Sequence, residues 1–132
     1  MQVKGIDHVN VLARDLDETA RFYERVMGLE RADNPAVGTS LRGAWMRDAQ
    51  GHAIVHLVWK DPEADRYEGY EPGLSTNAVH HVAFQCDGFE AMRARLDDMG
   101  LPYRVNDLSH LGLKQIFVTD PNAVNLEFNF AV

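Results

Sequence analysis

Four side chains in this sequence could together bind a metal ion, and their spacing relates them in pairs. They are His8, His56, His81 and Glu127. The separations from His8 to His81 and from His56 to Glu127 both lie within one residue of 72. Three imidazoles and one carboxylate suit a divalent first-row metal such as Fe, Mn, Ni, Co, Zn or Cu, whereas Mg and Ca prefer more oxygen ligands. The spacing predicts a transition-metal site built on an internal duplication.

Each of these residues alone has an ordinary explanation. A single histidine on a strand is more often a hydrogen-bonded structural residue, and Glu127 alone could simply face water. All four, however, lie on the less apolar faces of predicted strands and at equivalent positions of the repeat. That agreement favours one shared metal site over four unrelated residues.

The remaining histidines and Tyr103 differ in their predicted positions. His80 adjoins His81 but should point to the opposite face, so we exclude it as a ligand. His52 and His110 fall in a turn and a loop, where surface exposure is the ordinary outcome. His110 and Tyr103 are modest candidates for an acid or base, because groups at the rim of a site can reach a substrate. The candidate catalytic residues are these two, His110 and Tyr103, together with Glu127 and His56 of the predicted metal site.

Further polar residues share the predicted site face or carry positive charge. The amides could orient the ligands or bind substrate, and the cations could attract an anionic substrate, although exposed cations on strands are usually plain surface. The amides are Asn10, Gln85, Asn125 and Asn129, and the cations are Arg42, Arg47 and Lys114.

The end of the chain shows most clearly which elements must position these groups. A turn at Asp120 leads into a strictly alternating strand. One face of that strand is apolar, with Val124, Leu126, Phe128 and Phe130, and the other carries Asn125, Glu127 and Asn129. A carboxylate between two amides on a half-buried strand needs a partner from elsewhere in the fold.

The first half of the chain predicts one strand, a helix and three further strands. The helix should begin at Asp15, with Glu18 completing a capping box, and end at Gly28. A turn at Asp48 precedes the last strand. The predicted strands are Val3–Leu12, Leu29–Pro35, Leu41–Arg47 and Ala53–Trp59.

The second half repeats this order. A strand over Val79–Cys86 precedes a helix from Phe89 that ends at Gly100, and short strands over Tyr103–Val105 and Lys114–Thr119 precede the final strand. We therefore predict an α+β fold with two tandem βαβββ modules forming a curved mixed sheet around a metal-binding cleft. The chain would be a single domain, with module 1 over about 1–59, a linker over 60–77 that is rich in acidic residues, Pro and Gly, and module 2 over 78–132.

Composition narrows the class of protein. A chain of 132 residues with 45% hydrophobic residues has the size of one domain. A net charge of -7 argues against nucleic-acid binding, which needs a basic surface. The single cysteine, Cys86, cannot form an internal disulfide, and no apolar run is long enough for a signal segment or a membrane span. We expect a cytoplasmic protein with no membrane partner.

The sequence resembles the vicinal oxygen chelate superfamily, which includes glyoxalase I, fosfomycin-resistance proteins, methylmalonyl-CoA epimerase, bleomycin-binding proteins and extradiol dioxygenases. The resemblance covers essentially the whole chain and is specific for the superfamily rather than for one member. Its motifs are Ile6-Asp7-His8-Val9, Arg21-Phe22-Tyr23 through Met27-Gly28-Leu29, His80-His81-Val82-Ala83-Phe84, and Phe117-Val118-Thr119-Asp120-Pro121-Asn122 leading to Leu126-Glu127-Phe128.

The resemblance implies particular site residues and partners. His8, His81 and Glu127 match the ligand positions common to most members, and His56 matches a fourth position used by glyoxalase-like members. Glyoxalase I has a glutamate where this chain has His56, which disfavours proton transfer by two carboxylate bases. The resemblance also implies a small-molecule substrate and a homodimer.

Three functions remain open on these residues. Four bound side chains on a six-coordinate metal leave two positions, enough to polarise one substrate through two neighbouring oxygens, which favours isomerase, epimerase or lyase chemistry. An extradiol ring-cleaving dioxygenase fits only with His56 unbound and serving as an acid or base. The third function is metal-free drug binding, as in bleomycin-resistance proteins, and the four intact ligand-type residues weigh against it.

Overall fold

A computed structural model describes residues 1–34 and 42–132. The chain divides into two compact units, Met1–Gly73 and Leu74–Val132. The first unit contains β1 Val9–Ala13, α1 Leu16–Met27, β2 Glu30–Asp33, β3 Gly43–Arg47 and β4 Ala53–Trp59. The second contains β5 Val82–Cys86, α2 Phe89–Asp98, β6 Arg104–Leu108, a short 3-10 helix Ser109–Leu111, β7 Leu113–Thr119 and β8 Asn125–Ala131.

Each unit forms its own four-stranded mixed sheet with one helix. The strand orders are β1-β4-β3-β2 and β5-β8-β7-β6. In both sheets the first and last strands of the unit pair in parallel, and the other neighbours pair antiparallel. The predicted α+β fold of two βαβββ modules is confirmed.

The first strand of each unit is shorter than predicted. β1 begins at Val9 rather than Val3, and β5 begins at Val82 rather than Val79. Both are edge strands, so they extend only as far as the parallel neighbour offers partners: Val9 lies opposite Val55 and Val82 opposite Leu126, close to where β4 and β8 begin. His8 and His81 therefore immediately precede the strands on which they were predicted to lie.

Other boundaries differ by a few residues. β6, predicted over Tyr103–Val105, runs over Arg104–Leu108, because every one of its residues has an antiparallel partner on β7. The predicted end of β2 at Pro35 and the predicted start of β3 at Leu41 lie outside the described residues.

Helix α1 begins and ends at the predicted residues. Asp15 caps it by accepting a hydrogen bond from the Glu18 backbone N–H at 2.9 Å. Gly28 ends it in the left-handed conformation, with φ of 67°, which an L side chain rarely adopts. The face toward the sheet is buried and comprises Leu16, Thr19, Ala20, Phe22, Tyr23 and Val26.

The final strand β8 alternates as predicted and separates the two faces of its sheet. Leu126, Phe128 and Phe130 are buried. Phe89 at the start of α2 meets the Phe130 ring edge to face, with centroids 5.5 Å apart, so the helix lies on the apolar face. Glu127 therefore projects from the opposite face, away from α2.

The described residues contain no helix with the length and apolar character needed to cross a membrane.

Equivalent aspartate turns precede the last strand of each unit. Asp120 Oδ1 accepts hydrogen bonds from the backbone N–H groups of Asn122 and Val124, both at 2.8 Å. Asp48 Oδ1 does the same for Gln50 and His52 at 2.9 Å. Asp120 is 5% exposed, whereas Asp48 is only partly buried, so the second turn depends more on its carboxylate.

We expect Asp120→Ala to lower the free energy of unfolding by about 2 kcal/mol, because two N–H groups lose a buried charged acceptor. Asp48→Ala is the matched control and should cost about half as much, since water can replace its carboxylate. Urea denaturation measures both changes. Equal, small losses for the two variants would contradict this account of the Asp120 turn.

Candidate metal centre

The second unit brings two of the predicted ligands together. His81 Nε2 lies 3.1 Å from Glu127 Oε2, with the His81 side chain 42% exposed and that of Glu127 12% exposed. First-row metals bind nitrogen and oxygen at about 2.1 Å, so two ligands at a right angle lie about 3.0 Å apart. The observed separation is that of a hydrogen-bonded pair, and it also equals the spacing that two neighbouring ligands of one ion would have.

A row of amides surrounds the other oxygen of Glu127. Gln115 Nε2 donates to Glu127 Oε1 at 2.7 Å and to Asn129 Oδ1 at 2.9 Å. Asn106 Nδ2 in turn donates to Gln115 Oε1 at 2.8 Å. Asn129 thus shares the face of Glu127, as predicted. The carboxylate is held by neutral donors, which stabilise it without cancelling its charge.

His80 lies closer to the candidate site than predicted. Its Nδ1 is 3.0 Å from His81 Nδ1, and the two rings meet at 88°. The prediction that His80 points to the opposite face assumed that β5 already includes both histidines, but strand alternation begins only at Val82. Asn125, another predicted site amide, fixes this segment by donating from Nδ2 to the His80 carbonyl at 3.0 Å.

The first unit brings the other two predicted ligands together in a ring stack. His8 and His56 stack with centroids 3.7 Å apart and planes within 12°. Trp45 covers the other face of His56 at 4.6 Å and 15°. His56 is thus held between two rings, through the pairing of β3 with β4 that places it opposite Trp45.

Both histidines of this pair have a hydrogen-bond partner. His8 Nδ1 lies 2.6 Å from Asp7 Oδ2, and this hydrogen bond lowers the pKa of Asp7 below its usual value. His56 forms a hydrogen bond with the Ala53 backbone. Burial, followed by repulsion from His8, nevertheless lowers the pKa of His56 below 6.5. His56 is therefore neutral near pH 7, the form that binds metals or accepts protons.

The three histidines share an arrangement typical of metal ligands. A ligating histidine usually has its second ring nitrogen engaged by a carboxylate, a carbonyl or another polar group, which fixes the tautomer and orients the ring. Asp7 engages the second ring nitrogen of His8, and His80 engages that of His81. The Ala53 backbone forms the corresponding hydrogen bond with His56. The donor chemistry in each unit therefore fits a transition metal.

Neither unit supplies more than a pair. Among residues 1–34 and 42–132, no three His, Cys, Asp or Glu side chains within a unit are grouped so as to hold a metal ion.

The other predicted site residues lie apart from Glu127. The Tyr103 hydroxyl donates to Asp97 Oδ1 at 2.8 Å, and Asp97 belongs to α2 on the opposite face of the sheet. His110 lies on the exposed 3-10 helix at the end of the sheet where β8 stops. His52 has a side chain that is 76% exposed, which confirms its predicted surface position. The structure does not bring Tyr103 and His110 together with Glu127.

Two of the three predicted cations, Arg42 and Lys114, have partners within their own units. Lys114 Nζ lies 4.8 Å from the centroid of Phe89, on the helix side of the second sheet. The Arg42 guanidinium lies over Trp59, also at 4.8 Å. Cation–π contacts of this kind account for both residues without a substrate.

Sequence reasoning missed three residues that contact the predicted ligands, Asp7, Gln115 and Trp45, and a fourth, Asn106, that contacts Gln115. A carboxylate directly before a candidate histidine ligand was a usable signal for Asp7. Gln115 and Asn106 needed the antiparallel register, which pairs Asn106 with Gln115 and Gln115 with Asn129. Trp45 likewise needed the register of β3 against β4.

Two βαβββ modules in one chain, each with its first and last strands paired in parallel, define the class of fold. Residues 5–128 match the family model described as the Glyoxalase/Bleomycin resistance protein/Dioxygenase superfamily. The chain belongs to this superfamily, which confirms the resemblance seen in the sequence.

Individual relatives agree with this assignment. The protein "Glyoxylase I 4" of Arabidopsis thaliana is 28% identical over 130 residues, covering 96% of this chain and 71% of its own. The glyoxylase/bleomycin resistance protein/dioxygenase domain from Frankia sp. EAN1pec matches in structure with a TM-score of 0.76 at 18% identity, covering 99% of this chain and 100% of that one.

A third relative contains a metal. The fosfomycin resistance protein FosX from Listeria monocytogenes, complexed with Mn(II) and sulfate, matches with a TM-score of 0.67 at 15% identity, covering 99% of this chain and 95% of that one. At these identities the two solved structures establish the fold alone.

We expect the imidazole of His56 to titrate below pH 6.5 in the metal-free protein, and His8→Ala to raise its midpoint. Removing His8 opens one face of the ring to water and removes a neighbouring positive charge, so both causes of the lowered pKa weaken. Histidine chemical shifts followed by NMR against pH give the midpoint. His110→Ala is the control and should leave it unchanged. A His56 midpoint above 6.5 in the unaltered protein would contradict the expectation.

Proposed function

We propose that this protein is a metal-dependent enzyme that binds a divalent first-row transition metal through His8, His81 and Glu127 and acts on a small substrate with two neighbouring oxygens. The reaction is of glyoxalase-like isomerase, epimerase or lyase type. One observation carries the proposal: the Nδ1 atoms of His8 and His81 are each engaged by a neighbour, which leaves Nε2 of each ring as the nitrogen that would bind a metal.

The metal, when bound, acts as a Lewis acid that polarises a substrate oxygen and lowers the pKa of an adjacent C–H group. Asp7 and His80 hold the rings of His8 and His81 in orientation. Glu127 supplies negative charge from a buried position. Because no carboxylate stands at the position of His56, we assign the acid or base role at this position to His56, whose pKa is lowered.

The role of His56 depends on its ring stack. Ring lone pairs lie in the ring planes, and the planes of His8 and His56 are nearly parallel at 3.7 Å. Because stacked rings direct their lone pairs along parallel planes, His8 and a stacked His56 would not hold the same ion. His56 serves as an acid or base while it remains stacked, and it becomes the predicted fourth ligand only when its ring turns out of the stack.

Relatives support the metal and the reaction class. The name of the Arabidopsis relative points to glyoxalase-type chemistry, and the FosX structure shows Mn(II) held by the same fold. Mn is thus the first metal to test among Fe, Mn, Ni, Co and Zn. We extend the proposal to a homodimer, which the sequence resemblance implies, and to the cytoplasm, which the sequence composition favours. His110 and Tyr103 remain proposed acids or bases with less support, because both lie apart from Glu127.

A second candidate function is extradiol ring cleavage. The stack of His56 between Trp45 and His8 favours it, because a stacked His56 leaves two histidines and one carboxylate as ligands. That facial triad leaves room on the metal for a bidentate catechol and for dioxygen.

We expect the purified protein to bind Mn²⁺ with one site per chain. Three substitutions should each weaken this binding by at least about a hundredfold: His8→Ala, His81→Ala and Glu127→Ala. Each removes a direct ligand, and changes in the second coordination sphere alone cost up to about a hundredfold. Isothermal titration calorimetry measures the affinities, and elemental analysis of protein purified without an affinity-tag metal gives the resident ion. His52→Ala, an exposed histidine of the first unit, is the matched control.

Unchanged affinity in all three variants would overturn the metal site. Protein that takes up no metal yet binds an aromatic drug tightly would identify the bleomycin-resistance type of function instead.

We expect His56→Ala to keep Mn²⁺ affinity within about threefold of the unaltered protein and to lose turnover by about a hundredfold or more, as for removal of a general acid or base. The measurement combines calorimetry with a panel of α-hydroxy carbonyls and catechols, the latter loaded anaerobically and followed by oxygen uptake. A hundredfold loss of metal affinity would instead make His56 the fourth ligand. Oxygen uptake with a catechol would establish the dioxygenase, and its absence with every catechol would exclude it.

A further inference from the structure

We propose that Gln115 is a positioning residue that fixes the Glu127 carboxylate for one-oxygen binding to a metal ion, with Asn106 fixing Gln115 in turn. This inference rests on the proposed metal site. It concerns a residue of β7 that is not itself a ligand, so it can fail while the metal site stands.

The direction of the Gln115 amide is determined by its neighbours. Asn106 Nδ2 donates to Gln115 Oε1 at 2.8 Å, which uses the amide oxygen on the β6 side. The amide nitrogen must then face β8, where it donates one hydrogen to Glu127 Oε1 and the other to Asn129 Oδ1. Both ends of the amide are engaged, so a flipped Gln115 would place oxygen against oxygen on β8 and nitrogen against nitrogen on β6.

Strand register places these groups in line. Asn106 lies directly opposite Gln115, and Gln115 lies directly opposite Asn129. Glu127 stands two residues from Asn129 on the same face of β8, which is the diagonal distance that a long side chain spans between strands. The row therefore crosses three strands and ends at the carboxylate.

This arrangement assigns different roles to the two oxygens of Glu127. Oε1 accepts from Gln115 at 2.7 Å, and Oε2 faces His81 Nε2 at 3.1 Å. A carboxylate whose one oxygen is held by a fixed donor has little rotational freedom. Oε2 is then the oxygen that binds alongside His81, and Oε1 remains on the amide.

The choice of a neutral donor matters to the chemistry. A lysine or arginine at position 115 would also hold the carboxylate, but it would neutralise the charge that attracts a metal cation. Gln115 satisfies a buried oxygen and leaves the full negative charge on Glu127. The amide row thus orients the carboxylate for a cation and does not itself take the place of that cation.

The test is Mn²⁺ affinity by calorimetry on the full chain. We expect Gln115→Leu, which keeps the bulk but removes the donor, to weaken Mn²⁺ binding about 10- to 100-fold, the range seen for second-sphere residues. Asn106→Leu should weaken it less, because Gln115 keeps its donor but loses its fixed direction. Lys114→Ala, the neighbour on the helix face of β7, is the control and should leave the affinity unchanged.

A double-mutant cycle separates positioning from general stability. In a Glu127→Ala background, Gln115→Leu should cause no further loss of Mn²⁺ affinity, because the group it positions is gone. The same further loss in both backgrounds would show that Gln115 acts through the fold and would overturn the proposal. So would a Gln115→Leu protein that folds and binds Mn²⁺ as well as the unaltered protein.

Two outcomes keep this inference distinct from the proposed function. If the unaltered protein binds no Mn²⁺, the metal site itself fails. If Gln115→Leu does not fold, Asn106→Leu carries the test, since the partly buried Asn106 lies one strand farther from Glu127. Unchanged affinity in that folded variant would overturn the role of the amide row.

Discussion

The burial of one carboxylate constrains the whole second unit. Glu127 is 9% exposed, and in the part of the chain that the structure describes it forms no ion pair with lysine or arginine. A buried carboxylate is costly unless hydrogen bonds or a cation compensate it. Gln115 and His81 provide that compensation only in part. The apolar face of β8 and its helix remove water from one side, and the polar face supplies dipoles on the other.

The equivalent position of the first unit meets a different constraint. His56 corresponds to Glu127 in the repeat, but it is neutral and is held by ring stacking with Trp45 and His8 instead of by amides. Burial of the ring, followed by repulsion from His8, lowers the pKa of His56. Equivalent positions of the repeat thus have different surroundings, and each suits the chemistry of its side chain.

Local patterns in the sequence were sufficient to predict the modules. Capping at Asp15, the terminating Gly28 and the alternation of β8 each depend on a few consecutive residues, and all three were confirmed. The predicted starts of β1 and β5 were wrong, because an edge strand begins where its neighbour offers partners, which no single stretch of sequence encodes. The same limit explains Gln115 and Trp45, whose contacts require the register between strands. His80 was misplaced because alternation was applied to two residues that precede β5.

The division of the predicted ligands into two pairs has an evolutionary consequence. A dimer of single modules encoded by one gene would carry two identical pairs, so every substitution at a ligand position would appear twice. Fusion of two copies into one chain frees each pair to change alone. In this chain the two pairs differ, with His8 and His56 in one unit and His81 and Glu127 in the other. The formal charge at the predicted ligand positions can therefore change through a single codon.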